Sequence, residues 1–331
     1  GAVSKFSTRL GQVESYAVFG EAYVDLTQNL KLTGGLRYTH DEKHIETASG
    51  TFALSPYFIS DAEFDKVTGR AILNWNPTVS FTEDTNIYVS FSRGFKSGGF
   101  NPGNNTIPVF DSEVIDAYEL GIKNTFLDGK GRLNLAFFNY DYSNLIVGNL
   151  VGTAVANTNI PKSRVRGLEA ELVYTPVDPL RLEASLGLLD ATVRSDFLSS
   201  DPARGSARFP LQGNQLPNAP RSTLKLAAEY TIDAGDDWTV RPRIDFYSQS
   251  GFHSREFNVP ADRVGSWSQL DASVKIANSG KDWSVTAFVK NLTNQDSITW
   301  LEVNSNLVGS FRSAFLLDPR TFGLSLRVGF Q

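Results

Sequence analysis

The chain of 331 residues has no cysteine, no methionine and only three histidines, His40, His44 and His253. Without cysteine there is no disulfide framework, thiolate metal site or cysteine nucleophile. Long apolar runs are missing as well. No stretch approaches the roughly 18 residues that a membrane-crossing helix needs, and Gly1–Gly11 mixes polar and apolar residues unlike a signal peptide. Charge is sparse: Asp, Glu, Lys and Arg make up 20% of the chain, which argues against a disordered, solvated polymer. The net charge of −5 argues against a nucleic-acid partner. No methionine stands at position 1, which leads to the expectation that the chain was processed or is a piece of something longer.

What the sequence does have is period-two alternation, the signature of a half-buried strand. Phe322, Leu324, Leu326, Val328 and Phe330 fall on one face, and Thr321, Gly323, Ser325, Arg327 and Gly329 on the other. The same pattern sets Leu270, Ala272, Val274 and Ile276 against Asp271, Ser273 and Lys275, and Val240, Ile244 and Phe246 against Arg241, Arg243 and Asp245. It also sets Leu224, Leu226, Ala228 and Tyr230 against Lys225, Ala227 and Glu229. Read throughout, it predicts thirteen strands, near 13–26, 31–46, 66–81, 86–95, 116–127, 132–148, 162–175, 180–193, 220–232, 238–250, 266–277, 283–292 and 319–330.

The connections alternate between two kinds. Thr27–Leu30, Thr82–Thr85, Asp128–Gly131, Pro176–Pro179, Asp233–Asp237 and Asn278–Asp282 are short and carry turn residues. Those at 47–65, 96–115, 149–161, 194–219, 251–265 and 293–318 are long. A soluble meander has no reason to keep every long loop at one end. A transmembrane β-barrel does, with short periplasmic turns and long extracellular loops. In a bilayer every backbone group must be paired, so a spanning sheet closes, apolar outside and polar inside. The expected fold is therefore all-β, an antiparallel transmembrane β-barrel. Glu169, Glu171, Lys225, Glu229, Arg241, Arg243, Asp245, Asp271, Lys275 and Arg327 are assigned to its lumen. One Lys or Arg at mid-bilayer on the lipid face would cost roughly 2–4 kcal/mol, which sets the inward face. Aromatics near strand ends are expected to form the interfacial girdles: Tyr23, Tyr38, Trp75, Phe81, Tyr88, Phe95, Tyr140, Tyr142, Tyr174, Tyr230, Trp238, Tyr247, Trp267 and Trp283. The first and last strands both run downward, so thirteen is an odd count, whereas a complete bacterial barrel has an even one. Residues 1–331 are expected to be the C-terminal part of a larger barrel, with two end strands unpaired or awkwardly closed.

Several segments carry a family resemblance. Tyr88-Val-Ser-Phe-Ser-Arg-Gly-Phe-Lys-Ser-Gly-Gly-Phe-Asn-Pro102, Ala117-Tyr-Glu-Leu-Gly-Ile-Lys123 and Arg164-Val-Arg-Gly-Leu-Glu-Ala-Glu171 resemble recurrent segments of TonB-dependent outer-membrane receptors. Leu216-Pro-Asn-Ala-Pro-Arg221 and Val289-Lys-Asn-Leu-Thr-Asn294 are similar to the family's late strands, and Pro319–Phe330 to its closing strand, although Gln331 follows where the family usually ends on the aromatic. The resemblance implies a 22-stranded barrel around an N-terminal plug, entered here at the tenth strand with plug and TonB box absent. It implies residence in the bacterial outer membrane against lipid, and uptake of a scarce nutrient, most often a ferric siderophore. TonB would be reached only through the missing N-terminal region. No cofactor and no enzymatic activity are implied. The rival reading is a passive porin-like channel.

Candidate sites follow. Arg93 and Lys96 lead into the glycine-rich loop and are expected to face the vestibule and attract an anionic chelate. Arg194, Arg204, Arg208 and Phe209 in one long loop, and Trp300, Phe311 and Arg312 in the last, offer charge and stacking area for a ligand. His40 and His44 share a strand face, and a loose metal site there is conceivable; solvated loop bases are the preferred reading, and no metal site is assigned. Glu169, Glu171 and Glu183 with Arg164, Arg166 and Arg181 read as a lumenal ion-pair network rather than paired catalytic carboxylates. In the family such charges hold the plug.

Overall fold

The computed structural model describes residues 6–50, 58–102, 108–151, 154–205, 207–278, 280, 282–304 and 309–329. The tips of four expected long loops (51–57, 103–107, 152–153 and 305–308), and Phe330 and Gln331 at the end of the closing strand, lie outside the described residues.

Thirteen antiparallel strands follow one another in chain order across one sheet. They are β1 Phe6–Thr27, β2 Leu30–Gly50, β3 Phe58–Trp75, β4 Asp84–Lys96, β5 Glu113–Phe126, β6 Gly131–Val151 and β7 Ala154–Val177. Then come β8 Leu180–Val193, β9 Ser222–Tyr230, β10 Trp238–Gln249, β11 Trp267–Asn278, β12 Trp283–Lys290 and β13 Thr321–Val328. Ile232–Asp233 pairs beside β10, and among the described residues β1 and β13 are the two ends of the path, not neighbours. The strand count and the open ends match the reading from alternation.

One face of this sheet is built for lipid. Phe322, Leu324 and Leu326 on β13 are 68–78% exposed, an arrangement that water would penalise and hydrocarbon would not. The apolar band ends at one level across neighbouring strands. Val18, Tyr38 and Val67 are paired in register, and the next level up is Tyr16, His40 and Asp65. Phe91 pairs with Tyr118, and the next level up is Arg93 with Asp116. Leu168 lies between Phe137 and Leu188, and above it Arg166 lies between Asn139 and Asp190. The change from apolar to ionised marks the outer membrane boundary.

On the opposite, inner face, aromatic rings lie over glycines of the neighbouring strand. A Cβ on Gly121 would lie 2.2 Å from the Tyr88 ring, and one on Gly323 would lie 2.2 Å from Phe288. Glycine is required at both positions by close approach. The turn from β5 to β6 is tight, with Leu127, Asp128 and Gly129 all at positive φ.

Three expectations need correction. The connections 47–65 and 149–161 are mostly strand: pairing continues to Thr47–Phe58 between β2 and β3, and to Val151–Ala154 between β6 and β7. Beyond the membrane both faces are wet, so alternation fades while the backbone ladder continues. The third strand is displaced from 66–81 to Phe58–Trp75. Pro77 has no amide to pair, and the amide of Asn76 already donates to the Asn29 carbonyl at 2.8 Å. The girdle set also divides. Tyr38, Trp75, Phe95, Tyr174, Tyr230, Trp238 and Trp283 fall in register with the outer face, whereas Tyr23, Tyr88, Tyr140, Tyr142, Tyr247 and Trp267 fall on the inner one. Phe81 lies in the turn after β3. Nearness to a strand end does not choose a face; residue parity does.

The buried clusters sit where strand ends meet the loops. Ile160, Ala191, Val193, Leu211, Leu216 and Phe257 form one cluster, and Phe252, Val264 and Leu301 a second, both at the extracellular end. The connections there carry small hairpins of their own: Gly99–Phe100 with Val109–Phe110, Leu198–Asp201 with Ala207–Pro210, Phe252–His253 with Arg263–Val264, and Ile298–Val303 with Arg312–Leu316.

Candidate ligand-capture surface and lumen wall

The inner face of β7–β11 carries charges in successive register rows across the membrane-spanning part of the sheet. Arg243 is the hub: its guanidinium meets Asp245 at 2.7 Å and Glu183 at 3.2 Å, and Glu183 also accepts from Arg181 at 2.6 Å. Glu171, Lys225, Arg243, Asp245 and Asp271 line one concavity of about 480 Å³. Glu169, Glu229, Lys275 and Arg327 lie on the same face by register. Arg241 does too, with its Nε buried and without a hydrogen-bond partner. Asp271 Oδ1 accepts from the Gln269 side chain and the Asn291 amide, both at 2.8 Å. Farther round, Tyr88 and Tyr140 both donate to Glu119, at 2.6 and 3.3 Å.

Arg164 and Arg166 do not join this inner network, contrary to expectation. They differ in parity from Glu169 and Glu171 and lie on the outer face above the apolar band. There Arg164 pairs with Asp141 at 2.8 Å and Arg166 with Asp190 at 2.9 Å. Arg93 is displaced from its expected place for the same reason. It lies three residues from Lys96, so the two side chains leave opposite faces of β4. Arg93 forms a bidentate pair with Asp116, both contacts at 2.6 Å, on the outer face. Lys96 alone stays with the inner face.

His40 and His44 share the outer face as their spacing predicts, and each ring lies between two carboxylates. His40 contacts Asp65 at 2.8 Å and Glu42 at 3.0 Å; His44 contacts Asp61 at 2.6 Å and Glu46 at 3.2 Å. Hydrogen bonds to Asp65 and Glu42 raise the His40 imidazole to about 9, and those to Asp61 and Glu46 raise His44. Among the described residues no group of three or more His, Asp or Glu is disposed to hold a metal ion.

Over β7–β13 the extracellular loops form a cap held by buried ions. Asp201 caps the short turn Pro202–Arg204, accepting from the Ala203 amide at 3.0 Å, and Gly205 closes the turn at φ 70°. The fully buried Asp201 carboxylate also accepts from Arg204 Nε at 2.5 Å and Arg255 Nη1 at 2.6 Å. Arg255 reaches on to the equally buried Asp262, donating through Nε at 2.9 Å and through Nη2. The other oxygen of Asp262 accepts from Arg312 Nε at 2.9 Å and Nη2 at 2.8 Å. One chain of ion pairs, Arg204–Asp201–Arg255–Asp262–Arg312, thus joins three loops. Burial pushes the Asp201 carboxyl up, but Arg255 and Arg204 outweigh it and hold it below the usual carboxylate range. Polar contacts reinforce the joint: the Asn214 side chain donates to the Glu256 carbonyl at 2.8 Å, and Ser310 Oγ to the Ala203 carbonyl at 3.0 Å. Desolvation depresses His253 at the foot of the cap.

The expected ligand contacts in these loops therefore have different surroundings. Arg204 is stacked 3.4 Å above the Phe209 ring and Arg312 is held by Asp262, although both keep part of their surface exposed. Trp300 donates to Asn218 at 3.1 Å and packs on Phe315 at 5.1 Å. Phe311, Arg194 and Arg208 are exposed, and Arg208 donates to the Leu198 carbonyl at 3.2 Å. Sequence reading singled out neither Arg255 nor Asp262, and it places Asp201 in its loop without a role. Asp201-Pro202 gives a turn signal, but nothing in the sequence pairs it with an arginine 54 residues on.

Residues 2–292 match the family model described as TonB dependent receptor-like, beta-barrel. A probable TonB-dependent siderophore receptor, PiuA of Acinetobacter baumannii, is 26% identical over 237 residues, covering 67% of this chain and 31% of that protein. The ferric yersiniabactin uptake receptor FyuA of Yersinia pestis has the same fold, with a TM-score of 0.81 at 19% identity over 99% of this chain and 47% of its own. The solved structure of PiuA gives 0.73 at 21% identity, over 96% of this chain and 43% of that one. The chain thus spans about a third of that sequence relative and under half of each of these solved structures.

Proposed function

We propose, for a chain that belongs to the TonB-dependent receptor β-barrel family, that it supplies lumen wall and extracellular capture surface to an outer-membrane receptor for a ferric siderophore. The observation that carries this reading is the combination of a polar inner wall with a rigid cap. A passive pore needs only the polar lumen. A capture receptor needs loops held in one arrangement before the ligand arrives, because ordering loops on binding lowers affinity. The chain of buried ion pairs through Arg255 supplies that order. The siderophore receptors to which the chain is similar support the ligand class, and the family is one of transport receptors rather than enzymes. TonB engagement is assigned to parts of the receptor outside these strands.

The test is uptake of a labelled ferric siderophore by iron-starved cells with and without the intact receptor gene. Deletion is expected to abolish uptake, and collapsing the proton-motive force is expected to abolish it in the wild type. Residues 1–331 alone in liposomes should perform no energy-coupled uptake. Energy-independent passage of unrelated small solutes through the intact protein would instead establish a porin.

A further inference from the structure

Above the apolar band, the inner face of β1–β4 gathers three cations around one recess. Arg9, Lys43 and Lys96 line a concavity of about 430 Å³ whose lining residues include no aspartate or glutamate. The remaining walls are the Gly98–Phe100 segment, Phe110 and their neighbours. A space of this size suits a small chelate.

Elsewhere the arginines of this protein near carboxylates are paired with them: Arg70 with Glu21, Arg93 with Asp116, Arg243 with Glu183 and Asp245. Here the pattern fails. Among the described residues neither Arg9 nor Lys96 forms an ion pair. Glu113, the register neighbour of Lys96, has turned its carboxylate to the Ile146 amide at 2.7 Å. Lys43 donates to the Gly98 carbonyl at 2.7 Å and lies 5.5 Å from the Phe64 ring centre; neither is an anion. Burial pushes the Lys43 ammonium below its usual range against the opposing pull of Asp41, and the nearby Lys96 charge lowers it further. Like charges gathered in one recess repel one another, here around the partly buried Lys43. An anion seated among them would remove that repulsion.

The floor is rigid. A Cβ on Gly98 would lie 2.1 Å from the Phe110 carbonyl and 2.5 Å from the Phe64 ring, so the loop backbone packs directly on both. Phe100 and Phe110 add apolar area beside the cations, the pairing that suits an anion with flat, aromatic arms.

We infer that the recess of Arg9, Lys43 and Lys96 over Phe100 and Phe110 is an anion-binding subsite, and that the chelate this receptor captures is anionic rather than neutral. The inference rests on the siderophore-receptor reading above and narrows its ligand class.

The test uses the intact receptor in detergent and three ferric probes of similar size: a tris-catecholate of charge −3, an anionic carboxylate chelate and a neutral tris-hydroxamate. Affinity is read by quenching of tryptophan fluorescence. An anionic probe is expected to bind, with affinity falling as sodium chloride is raised, and the neutral probe to bind more weakly. Lys43→Gln and Lys96→Gln should each weaken the anionic probe about tenfold, with Lys96→Arg restoring most of it. The salt titration requires no variant, so a misfolded substitution leaves the test intact. Equal or tighter salt-independent binding of the neutral chelate would overturn the anion assignment and leave the receptor reading standing. Binding of none of the three, together with unchanged iron uptake on gene deletion, would overturn both.

Discussion

Two clusters of cations stand at the extracellular end of this molecule, and they are organised in opposite ways. In the cap over β7–β13, Arg204, Arg255 and Arg312 are threaded on the buried carboxylates of Asp201 and Asp262. In the recess over β1–β4, Arg9, Lys43 and Lys96 line a cavity without a carboxylate. Carboxylates decide the difference. A guanidinium committed to a buried anion holds loops together, and its partner cannot be removed without stranding a charge. An ammonium left without one destabilises its surroundings slightly and remains available to a ligand. Counting arginines in loops does not separate these roles, which is why Arg204 and Arg312 looked equivalent to Lys96 in the sequence.

The largest effect that would break this comparison belongs to the cap. Asp262→Ala leaves Arg255 with Asp201 alone and takes from the partly exposed Arg312 its carboxylate partner, and is expected to cost about 3 kcal/mol of local stability. Protease cleavage within 194–219 and 251–265 should rise by at least a hundredfold, while heat-resistant barrel mobility on gels is retained. Unchanged cleavage would show that the ion chain does not hold the loops.

The second effect is a shifted titration on the outer face. His40 is raised from 6.5 to about 9 by Asp65 and Glu42. Its pairing therefore contributes stability fully below pH 6.5, and the contribution is lost as pH rises through about 9. Nuclear magnetic resonance of labelled histidine should show a midpoint well above the ordinary histidine range, and Asp65→Asn should lower it. A midpoint near 6.5 in the wild type would refute the pairing.

The smallest effect sharpens the contrast on β4 itself. Arg93→Gln removes a cation three residues from Lys96 but on the other face, so affinity for an anionic ferric chelate should change less than twofold, against about tenfold for Lys96→Gln. Equal losses, measured by the same fluorescence titration, would show that whole-molecule charge rather than the recess governs capture.

Much of this architecture was legible because lipid acts on each strand separately. Leu324 and Leu326 must face hydrocarbon whatever their neighbours do, so alternation alone located β13 and its inner residue Arg327. The same parity argument would have separated Arg93 from Lys96, and Arg164 and Arg166 from Glu169, had it been carried past the membrane boundary. The paired extensions of β2–β3 and β6–β7 were illegible because water wets both of their faces and leaves no polarity pattern. The cap was illegible for a different reason. Asp201, Arg255 and Asp262 are unremarkable polar loop residues until folding brings distant loops together and excludes water from them.

The sequence by itself determined the all-β class, the thirteen strands, their order and the face each residue presents within the membrane. Those properties follow from a boundary between hydrocarbon and water that every strand meets on its own. Only the tertiary structure decided which cations are neutralised and which are left facing the vestibule. That depends on whether a carboxylate from another loop arrives within hydrogen-bond distance, a matter of three-dimensional proximity that no local pattern encodes.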